Sequence, residues 1–363
     1  MTVRSDRAPA LTIRAGRRAL ERIRQQGLRP EDVHVIPGAA GGPKALGISG
    51  LDQAIFGDWL LRAPQERALI GSSIGSWRFA AVASGDDPRA QLARLAELYT
   101  SQRFAKGVSA AEVTRKSVTF LETLLGGREE AILSHPYYRL SILVVRSRGL
   151  LERDERGHLA FGLARAISAN MLGRRHLGRF MERGIVHDSR HRTPVADLVD
   201  FPSHAIGLSR DNLMAALLAS ASIPLVMSGV RHLEGAPVGV YRDGGLLDYH
   251  LDLPYQQPGI VLYPHFTDRI IPGWFDKTLP WRRGDVDRLQ DVVLVSPSRA
   301  YLAGLPDRKL PDRKDFERYM GNDAAREKAW QIAVAESHRL GDEFLELTDS
   351  GRLVDVIQPL GPG

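Results

Sequence analysis

The chain has 363 residues, a length that can bury a sizeable core without disulfide bonds. It contains no cysteine, which excludes disulfides, thiolate metal sites and cysteine catalysis. The formal net charge of +6 comes from 49 basic and 43 acidic residues, with basic clusters within residues 4–29 and 165–192. Because no nucleic-acid-binding module accompanies these clusters, we expect no nucleic-acid partner; an anionic membrane is the surface that they would attract.

The sequence predicts neither a signal peptide nor a membrane-crossing segment. The N-terminal residues lack the apolar stretch of a secretory signal. The longest apolar run, residues 213–227, contains Pro224 and is shorter than the roughly 20 residues that cross a bilayer. We therefore expect a cytoplasmic protein that would meet lipid by peripheral contact.

Helices and short apolar strands alternate along the chain. Helices are predicted over residues 15–26, 44–60, 76–84, 92–133, 211–221 and 315–347. Strands are predicted over residues 33–36, 68–70, 140–145, 238–241, 260–263 and 292–295. This alternation predicts an α/β fold with three layers, in which helices cover both faces of a mostly parallel central sheet. With no internal repeat and no long linker, we expect one domain over residues 1–363.

A candidate nucleophile lies between the second strand and the helix that follows it. Gly71-Ser72-Ser73-Ile74-Gly75 fits the G-x-S-x-G pattern, in which a serine stands on a strained strand-to-helix turn. The glycines are needed where a Cβ would collide with neighbouring backbone. The amide of Ile74, at the start of the helix, would donate to a developing oxyanion. The competing interpretation is a plain turn rich in glycine and serine.

A glycine-rich loop, residues 38–44, joins the first strand to the next helix. It fails as a phosphate-binding P-loop, because Pro43 and Ala45 replace the glycine and the hydroxyl residue that such a loop requires. It also lacks the G-x-G-x-x-G dinucleotide pattern. The loop can instead supply backbone amides to an oxyanion, and since proline has no amide the donors would be Gly41, Gly42 or Lys44. A flexible connector is the alternative.

A candidate acid follows the strand predicted over residues 238–241. Asp243-Gly244-Gly245 places a carboxylate at a strand end, and the two glycines permit a sharp turn and the close approach of another element. Considered alone, a D-G-G sequence is most often only a turn.

The chain resembles the patatin-like phospholipases in the order of its three motifs: the glycine-rich loop, then G-x-S-x-G, then D-G-G. The small-residue segment Ala219-Ser220-Ala221-Ser222-Ile223-Pro224 resembles the helix that precedes the acid strand in that family. The resemblance covers about residues 33–248, and residues 249–363 would complete the domain. The chain departs from the family pattern at three positions. Ala40 and Ala45 stand where the family usually has glycine, and Ser76, directly after the G-x-S-x-G motif, stands where it often has glycine.

The resemblance implies a serine hydrolase of lipid or other acyl esters that uses no cofactor and no metal. It assigns Ser73 as nucleophile and Asp243 as the base of a Ser–Asp dyad. Gly41 and Gly42 match the oxyanion loop, and Lys44 matches its basic position. Gly71, Gly75, Gly244 and Gly245 support the two motifs. The substrate would be a phospholipid or acylglycerol, cleaved through an acyl-enzyme intermediate; the sequence leaves the oligomeric state undetermined.

Two alternatives remain open at the level of sequence. A Ser-His-Asp site would require His250 or His265, the two histidines that follow late strands. A catalytically weak patatin fold could serve as a binding or scaffold protein. Separately, the aromatic and basic residues within 274–283 suit a lipid–water interface, or else an ordinary loop over the core. By position alone, residues 108–126 and 173–192 are candidates for a mobile cover over the site.

Overall fold

A ten-stranded mixed sheet forms the centre of the computed structural model, which describes residues 8–361. The strands are β1 (Leu11–Ala15), β2 (Val33–Gly38), β3 (Arg67–Ser72), β4 (Tyr138–Ser147), β5 (Met181–His187), β6 (Ser203–Gly207), β7 (Tyr241–Asp243), β8 (Ile260–Pro264), β9 (Val292–Pro297) and β10 (Gln358–Pro359). Their order is β10-β1-β9-β8-β2-β3-β4-β5-β6, and β7 pairs with β4 outside this path. Arg4 and Arg7 of the basic N-terminal cluster lie outside the described residues.

Most neighbouring strands run parallel, which confirms the predicted sheet. The antiparallel pairs are β1 with β9, β4 with β5, and β4 with β7. Five strands in a row, β9, β8, β2, β3 and β4, are parallel to one another. Nine of the ten residues of β4 are buried, as expected for a strand in a sheet that is covered on both faces.

Helices surround the sheet and complete the three-layer α/β architecture. They are α1 (Arg17–Gln26), α2 (Ser49–Gly57), α3 (Ile74–Ala83), α4 (Pro88–Thr100), α5 (Ala110–Leu125), α6 (Glu129–Ser134), α7 (Arg156–Leu172), α8 (Leu213–Ala221), α9 (Arg299–Ala303), α10 (Lys314–Arg318), α11 (Asp323–Asp349) and α12 (Leu353–Val356). Helix α3 packs on β3, and α8 packs on β4 and β7. Among residues 8–361, no helix has both the length and the apolar character needed to cross a membrane.

The helix predicted over residues 44–60 is divided into three parts. A 3₁₀ helix (Gly42–Ile48) comes first, α2 follows, and a second 3₁₀ helix (Trp59–Arg62) ends the segment. Helix α11 approaches α2 so closely that a Cβ on Gly50 would stand 2.4 Å from the backbone nitrogen of His338. The glycine that lowers helix propensity here is the residue that lets α2 and α11 meet.

The strand predicted over residues 238–241 is wrong in its position. Strand β7 begins at Tyr241 and ends at Asp243, while Val238 is 92% exposed. The carbonyl of Val238 accepts hydrogen bonds from the Arg146 guanidinium rather than from the backbone of a neighbouring strand. Asp243 is therefore the last residue of the strand and does not follow it.

Strand β5 lies in residues 173–192, which the sequence suggested as a mobile cover. Residues 181–187 pair with β4 and β6, so this part of the segment belongs to the sheet. The strand was not predicted because the charged side chain of Arg183 interrupts its apolar residues. In the structure Arg183 is buried and its guanidinium donates to Asp248 and Asp200, which come later in the sequence.

We predict that the buried ion pair between Asp52 of α2 and Arg78 of α3 is a main determinant of stability. Both side chains are 2% exposed, and Arg78 Nε donates to Asp52 Oδ2 over 2.7 Å. Asp52→Ala should lower the free energy of unfolding by about 3–5 kcal/mol, because it leaves a buried guanidinium without its partner. Urea unfolding followed by circular dichroism measures the change.

The exposed pair of Arg62 and Asp349 provides the control. Asp349→Ala removes the same kind of carboxylate from a solvated pair, and should cost less than about 1 kcal/mol. Equal losses for the two variants would contradict the role given to the buried pair.

Candidate active site

Ser73 stands on a strained turn between β3 and α3. Its φ of 56° and ψ of −127° lie in a region that residues with a side chain rarely adopt. The residue is 5% exposed, and the N-terminus of α3 begins at the next residue. This is the local geometry that the G-x-S-x-G pattern predicts for a nucleophile.

The two glycines of the pattern are required by the backbone around the turn. A Cβ on Gly75 would stand 1.9 Å from the carbonyl oxygen of Gly38, at the end of β2. A Cβ on Gly71 would stand 2.4 Å from the backbone nitrogen of Ser76. A larger residue at either position would push β2, β3 and α3 apart and move the serine.

Asp243 is the direct hydrogen-bond partner of Ser73. Ser73 Oγ donates to Asp243 Oδ2 over 2.8 Å, and the Gly245 amide donates to Asp243 Oδ1 over 2.7 Å. Gly244 has no room for a side chain, since a Cβ there would stand 2.2 Å from the carbonyl oxygen of Leu143. Ser73 and the Gly245 amide thus each bind one oxygen of the carboxylate.

The environment of this carboxylate favours proton transfer near neutral pH. Burial raises the pKa of Asp243 to about 6, while the hydrogen bonds from Ser73 and Gly245 and the charge of Arg313 act in the opposite direction. The carboxylate is therefore ionised at pH 7, and its pKa is close enough to that pH for it to take and return a proton.

Three of the four predicted oxyanion donors surround Ser73. Gly41 and Gly42 line the same pocket as Ser73 and Asp243. Gly42 has a φ of 57°, which glycine adopts without strain, and it begins a 3₁₀ helix. Ile74 is the first residue of α3, where helix geometry leaves the amide without an intrahelical acceptor. These backbone groups can bind a developing negative charge beside the serine.

Lys44, the fourth predicted donor, is placed differently. Its ammonium lies 4.9 Å from the centre of the Phe266 ring, and Lys44 is not among the residues that line the pocket around the dyad. Burial is the main cause that lowers its pKa, and the nearby positive charge of Arg313 lowers it further. The structure therefore gives Lys44 a cation–π contact behind the loop.

Ser220 of α8 is a site residue that the sequence motifs did not single out. The Ser73 amide donates to Ser220 Oγ over 2.9 Å, and Ser220 Oγ donates to the Leu143 carbonyl over 2.7 Å. Ser76 Oγ lies 2.9 Å from Ser220 Oγ and donates to the carbonyl of Ser73. The small-residue segment before Pro224 was the available signal. Ser220 links the turn that carries Ser73 to the sheet.

Two cavities meet at the dyad. A small one, of about 70 Å³, contacts Asp243 and extends toward Leu163 and Trp274. A larger one, of about 350 Å³, has mainly apolar walls that include Trp77, Phe104 and Met227. Both include Gly42, Ser73, Ile223 and Arg313 in their lining. Ser73 is thus reached from two sides, one of them wide and apolar.

His250 and His265 pack against each other away from the dyad. Their ring centres are 4.3 Å apart, and each Nδ1 lies within hydrogen-bond distance of backbone groups: the Ile271 amide and the Arg269 carbonyl for His250, and the amide and carbonyl of Thr267 for His265. Neither lines the pocket around Ser73. Burial lowers the pKa of His265 to about 3 and lowers that of His250 well below its ordinary value. The structure brings Asp243, and neither histidine, to the serine.

Comparisons with known proteins found one matching family model and a distant structural neighbour. The family model described as "Patatin-like phospholipase" matches residues 62–250, which include both Ser73 and Asp243. Among solved structures, the human GIVD cytosolic phospholipase A2 is 11% identical, with a TM-score of 0.33. That alignment covers 93% of this chain and 62% of the human protein, so this chain spans less than two thirds of its length. No curated protein sequence matches the chain.

We predict that Ser220 positions the nucleophile. Ser220→Ala removes the acceptor of the Ser73 amide and should slow labelling of Ser73 by a fluorophosphonate about tenfold to a hundredfold, because small displacements of a reacting atom have large effects on rate. Labelling is followed by in-gel fluorescence, with a thermal melt to show that the variant is folded.

Ser84→Ala is the matched control, since Ser84 Oγ is buried and donates to a carbonyl at the C-terminal end of α3, the helix that begins after Ser73. Its labelling rate should equal that of the wild type. A wild-type rate in Ser220→Ala would show that the turn holds its conformation without this hydrogen bond.

Proposed function

The chain belongs to the patatin-like phospholipase family, whose model matches just over half of it, and on this premise we propose that it hydrolyses carboxylic esters of lipids. The observation that carries the proposal is the 2.8 Å hydrogen bond from Ser73 Oγ to the buried carboxylate of Asp243. A hydroxyl on a strained turn with a carboxylate as its direct partner suits nucleophilic attack on an acyl group.

In the proposed first step, Ser73 Oγ attacks the ester carbonyl carbon as Asp243 takes its proton. The negative charge that develops on the carbonyl oxygen meets the amides of Gly41, Gly42 and Ile74. The protonated Asp243 then gives the proton to the departing alkoxide as the carbon–oxygen bond of the ester breaks. An acyl-enzyme on Ser73 and a free alcohol result.

In the second step, Asp243 accepts a proton from a water molecule that attacks the acyl-enzyme. The tetrahedral intermediate collapses, Ser73 leaves and recovers its proton from Asp243, and the fatty acid is released. The pKa of about 6 supports this double role, because the group must be ionised at the start of each step and protonated in the middle.

The walls of the larger cavity support a lipid substrate. Its volume of about 350 Å³ and its lining of Trp77, Phe104 and Met227 suit an acyl chain. The smaller cavity on the other side of Ser73 would then receive the alcohol part of the ester.

Positive charges beside the dyad favour a phospholipid over a neutral glyceride. Arg313 lines both cavities, and its Nε and Cγ lie close to Gly42. The guanidinium of Arg313 has no ion-pair partner among the described residues. Lys277 lies over the Tyr249 ring at 4.9 Å, and burial together with the charges of Lys44 and Arg313 lowers its pKa to about 8. A phosphate group would relieve the repulsion among these cations.

The hydrogen-bonded pair of Ser73 and Asp243 favours an enzyme over an inactive binding protein. A scaffold function would not require the strained φ of Ser73 or the hydrogen bond to a buried acid. A Ser-His-Asp mechanism finds no support in the positions of His250 and His265, whose Nδ1 atoms are bound to backbone. A cytoplasmic location with peripheral membrane contact remains part of the proposal.

We predict that both members of the dyad are essential. Ser73→Ala and Asp243→Asn should each lower kcat for a p-nitrophenyl ester about a thousandfold or more, because each removes a group that acts in the transition state. His250→Asn and His265→Asn, as controls, should keep most of the activity. If a histidine variant lost activity while Asp243→Asn kept it, a triad would replace the dyad.

We predict that kcat/KM depends on the ionisation of Asp243. The raised pKa means that the carboxylate is protonated and inactive below about pH 6, so kcat/KM should rise with pH and level off above that value.

Arg313 lowers the pKa of Asp243, and Arg313→Gln should therefore move the midpoint of this pH profile to higher pH. The same variant should lose more activity toward a phospholipid than toward a neutral diglyceride.

Arg318→Gln is the matched control, because Arg318 is exposed and paired with Asp307. It should change neither the midpoint nor the preference for phospholipid. An unshifted midpoint in Arg313→Gln would contradict the electrostatic role given to Arg313.

A further inference from the structure

Helix α7 carries apolar side chains on two opposite faces. Its inner face buries Leu159, Leu163 and Ala166 in a core cluster with residues of β4 and β5. Its outer face exposes Phe161 and Leu172, which are 61% and 85% accessible. Ile167 and Met171 are also exposed, and at i, i+4 spacing they continue the row of Leu159 and Leu163 from the buried side toward the surface. Nothing in residues 8–361 covers this outer face.

A tryptophan of a neighbouring loop extends the exposed apolar surface. Trp281 is 67% exposed. The next residue, Arg282, donates to the backbone carbonyl of Asn170 near the end of α7 over 3.1 Å. We call the outer residues Phe161, Ile167, Met171 and Leu172, together with Trp281, the α7 face.

The α7 face is surrounded by positive charge. Residues 156–179 contain five arginines and no acidic residue. Arg156, Arg165, Arg175 and Arg179 are exposed, and within residues 8–361 none of the four forms an ion pair. Apolar side chains ringed by unpaired arginines are typical of a helix that lies in the interface of an anionic membrane.

The face adjoins the opening of the candidate active site. Leu163, on the inner side of α7, lines the small cavity that contains Ser73 and Asp243. Trp274, seven residues before Trp281, lines it as well, and so does Leu225, which is partly exposed. A surface bound to the α7 face would therefore lie beside the entrance to the dyad.

We infer that the α7 face binds the surface of an anionic lipid bilayer and brings the opening of the dyad cavity to the membrane. The choice of a lipid substrate rests on the proposed function, but binding to the bilayer does not require catalysis. Phe161, Leu172 and Trp281 insert among the head groups and acyl chains, and the arginines contact lipid phosphates.

The charge distinguishes this occupant from a second copy of the chain. In a two-fold dimer the same patch meets itself, so the unpaired arginines of two copies would face each other. An anionic bilayer supplies the opposite charge and also receives the apolar side chains. The bilayer is the partner that satisfies both features of the face.

Co-sedimentation with vesicles tests the inference. The vesicles are of phosphatidylcholine alone, or of phosphatidylcholine mixed with phosphatidylglycerol. Wild-type protein should bind the mixed vesicles, and bind them less at high salt, because salt screens the arginines. The triple variant Phe161→Ser, Leu172→Ser, Trp281→Ser should lose binding by about tenfold or more. Leu61→Ser, Ile332→Ser, Val356→Ser, three exposed apolar residues elsewhere, should bind as the wild type does.

A second pair of variants tests the charge. Arg165→Gln with Arg175→Gln should lower binding to the mixed vesicles by about tenfold. Arg24→Gln with Arg299→Gln removes the same net charge from exposed positions elsewhere and should have no effect. Wild-type binding by the α7 variants, or equal losses in the controls, would overturn the inference. So would a dimer in sedimentation velocity that the α7 variants dissociate while vesicle binding stays unchanged.

Catalysis is measured separately with a water-soluble ester, p-nitrophenyl butyrate. The α7 variants should hydrolyse it at the wild-type rate, and Ser73→Ala should bind vesicles normally. If the wild type binds vesicles through the α7 face but hydrolyses no ester, the docking surface stands and the proposed function fails. If it hydrolyses the soluble ester but the α7 variants bind vesicles normally, the docking surface fails alone.

Discussion

The hydrogen bond between Ser73 and Asp243 joins residues 170 positions apart in the sequence, and strand β4 determines whether it can form. Strand β3 pairs with one edge of β4 so that Ser72 lies opposite Leu143. Strand β7 also pairs with β4, so that Asp243 lies opposite Val144. Ser73 and Asp243 are thus both placed by pairing with β4, at the adjacent residues Leu143 and Val144.

The carbonyl of Leu143, in the same strand, also helps to position Ser73 and Asp243. It accepts the Ser220 hydroxyl, which in turn receives the Ser73 amide, and it leaves no space for a side chain on Gly244. A shift of one residue along β4 would turn the side chains to the other face of the sheet and separate the dyad. The geometry of the site is therefore a property of the sheet, and the two motifs only supply residues that fit it.

Much of this could be predicted from the sequence, because the motifs are local. The strand–turn–helix context indicated Ser73, and Asp243 was assigned by the order of the motifs and the family resemblance that this order supports. Ser220 lay beyond prediction from the residues alone, since its role depends on contacts with β3 and β4. Strand β5 was missed because Arg183 looks like a solvent-exposed residue until Asp248 and Asp200 are seen to pair with it. Helix α7 was missed because apolar residues on both faces blur the single stripe by which amphipathic helices are recognised.

Three cations lie close together near Ser73 and Asp243, and their mutual repulsion lowers the stability of the fold. Lys44, Lys277 and Arg313 repel one another, and together with burial this repulsion lowers the pKa of both lysines. Their contacts with the Phe266 and Tyr249 rings compensate for only part of the desolvation. The carboxylate of Asp312 raises the pKa of both lysines and so offsets part of this repulsion, whereas Arg313 has no ion-pair partner among the described residues. A carboxylate fixed beside Arg313 would weaken the effect by which the Arg313 charge lowers the pKa of Asp243. Under the proposed function, an unpaired Arg313 favours the ionised form of Asp243 and stays available to an anionic substrate, so one charge would serve both the reaction and the recognition of the substrate.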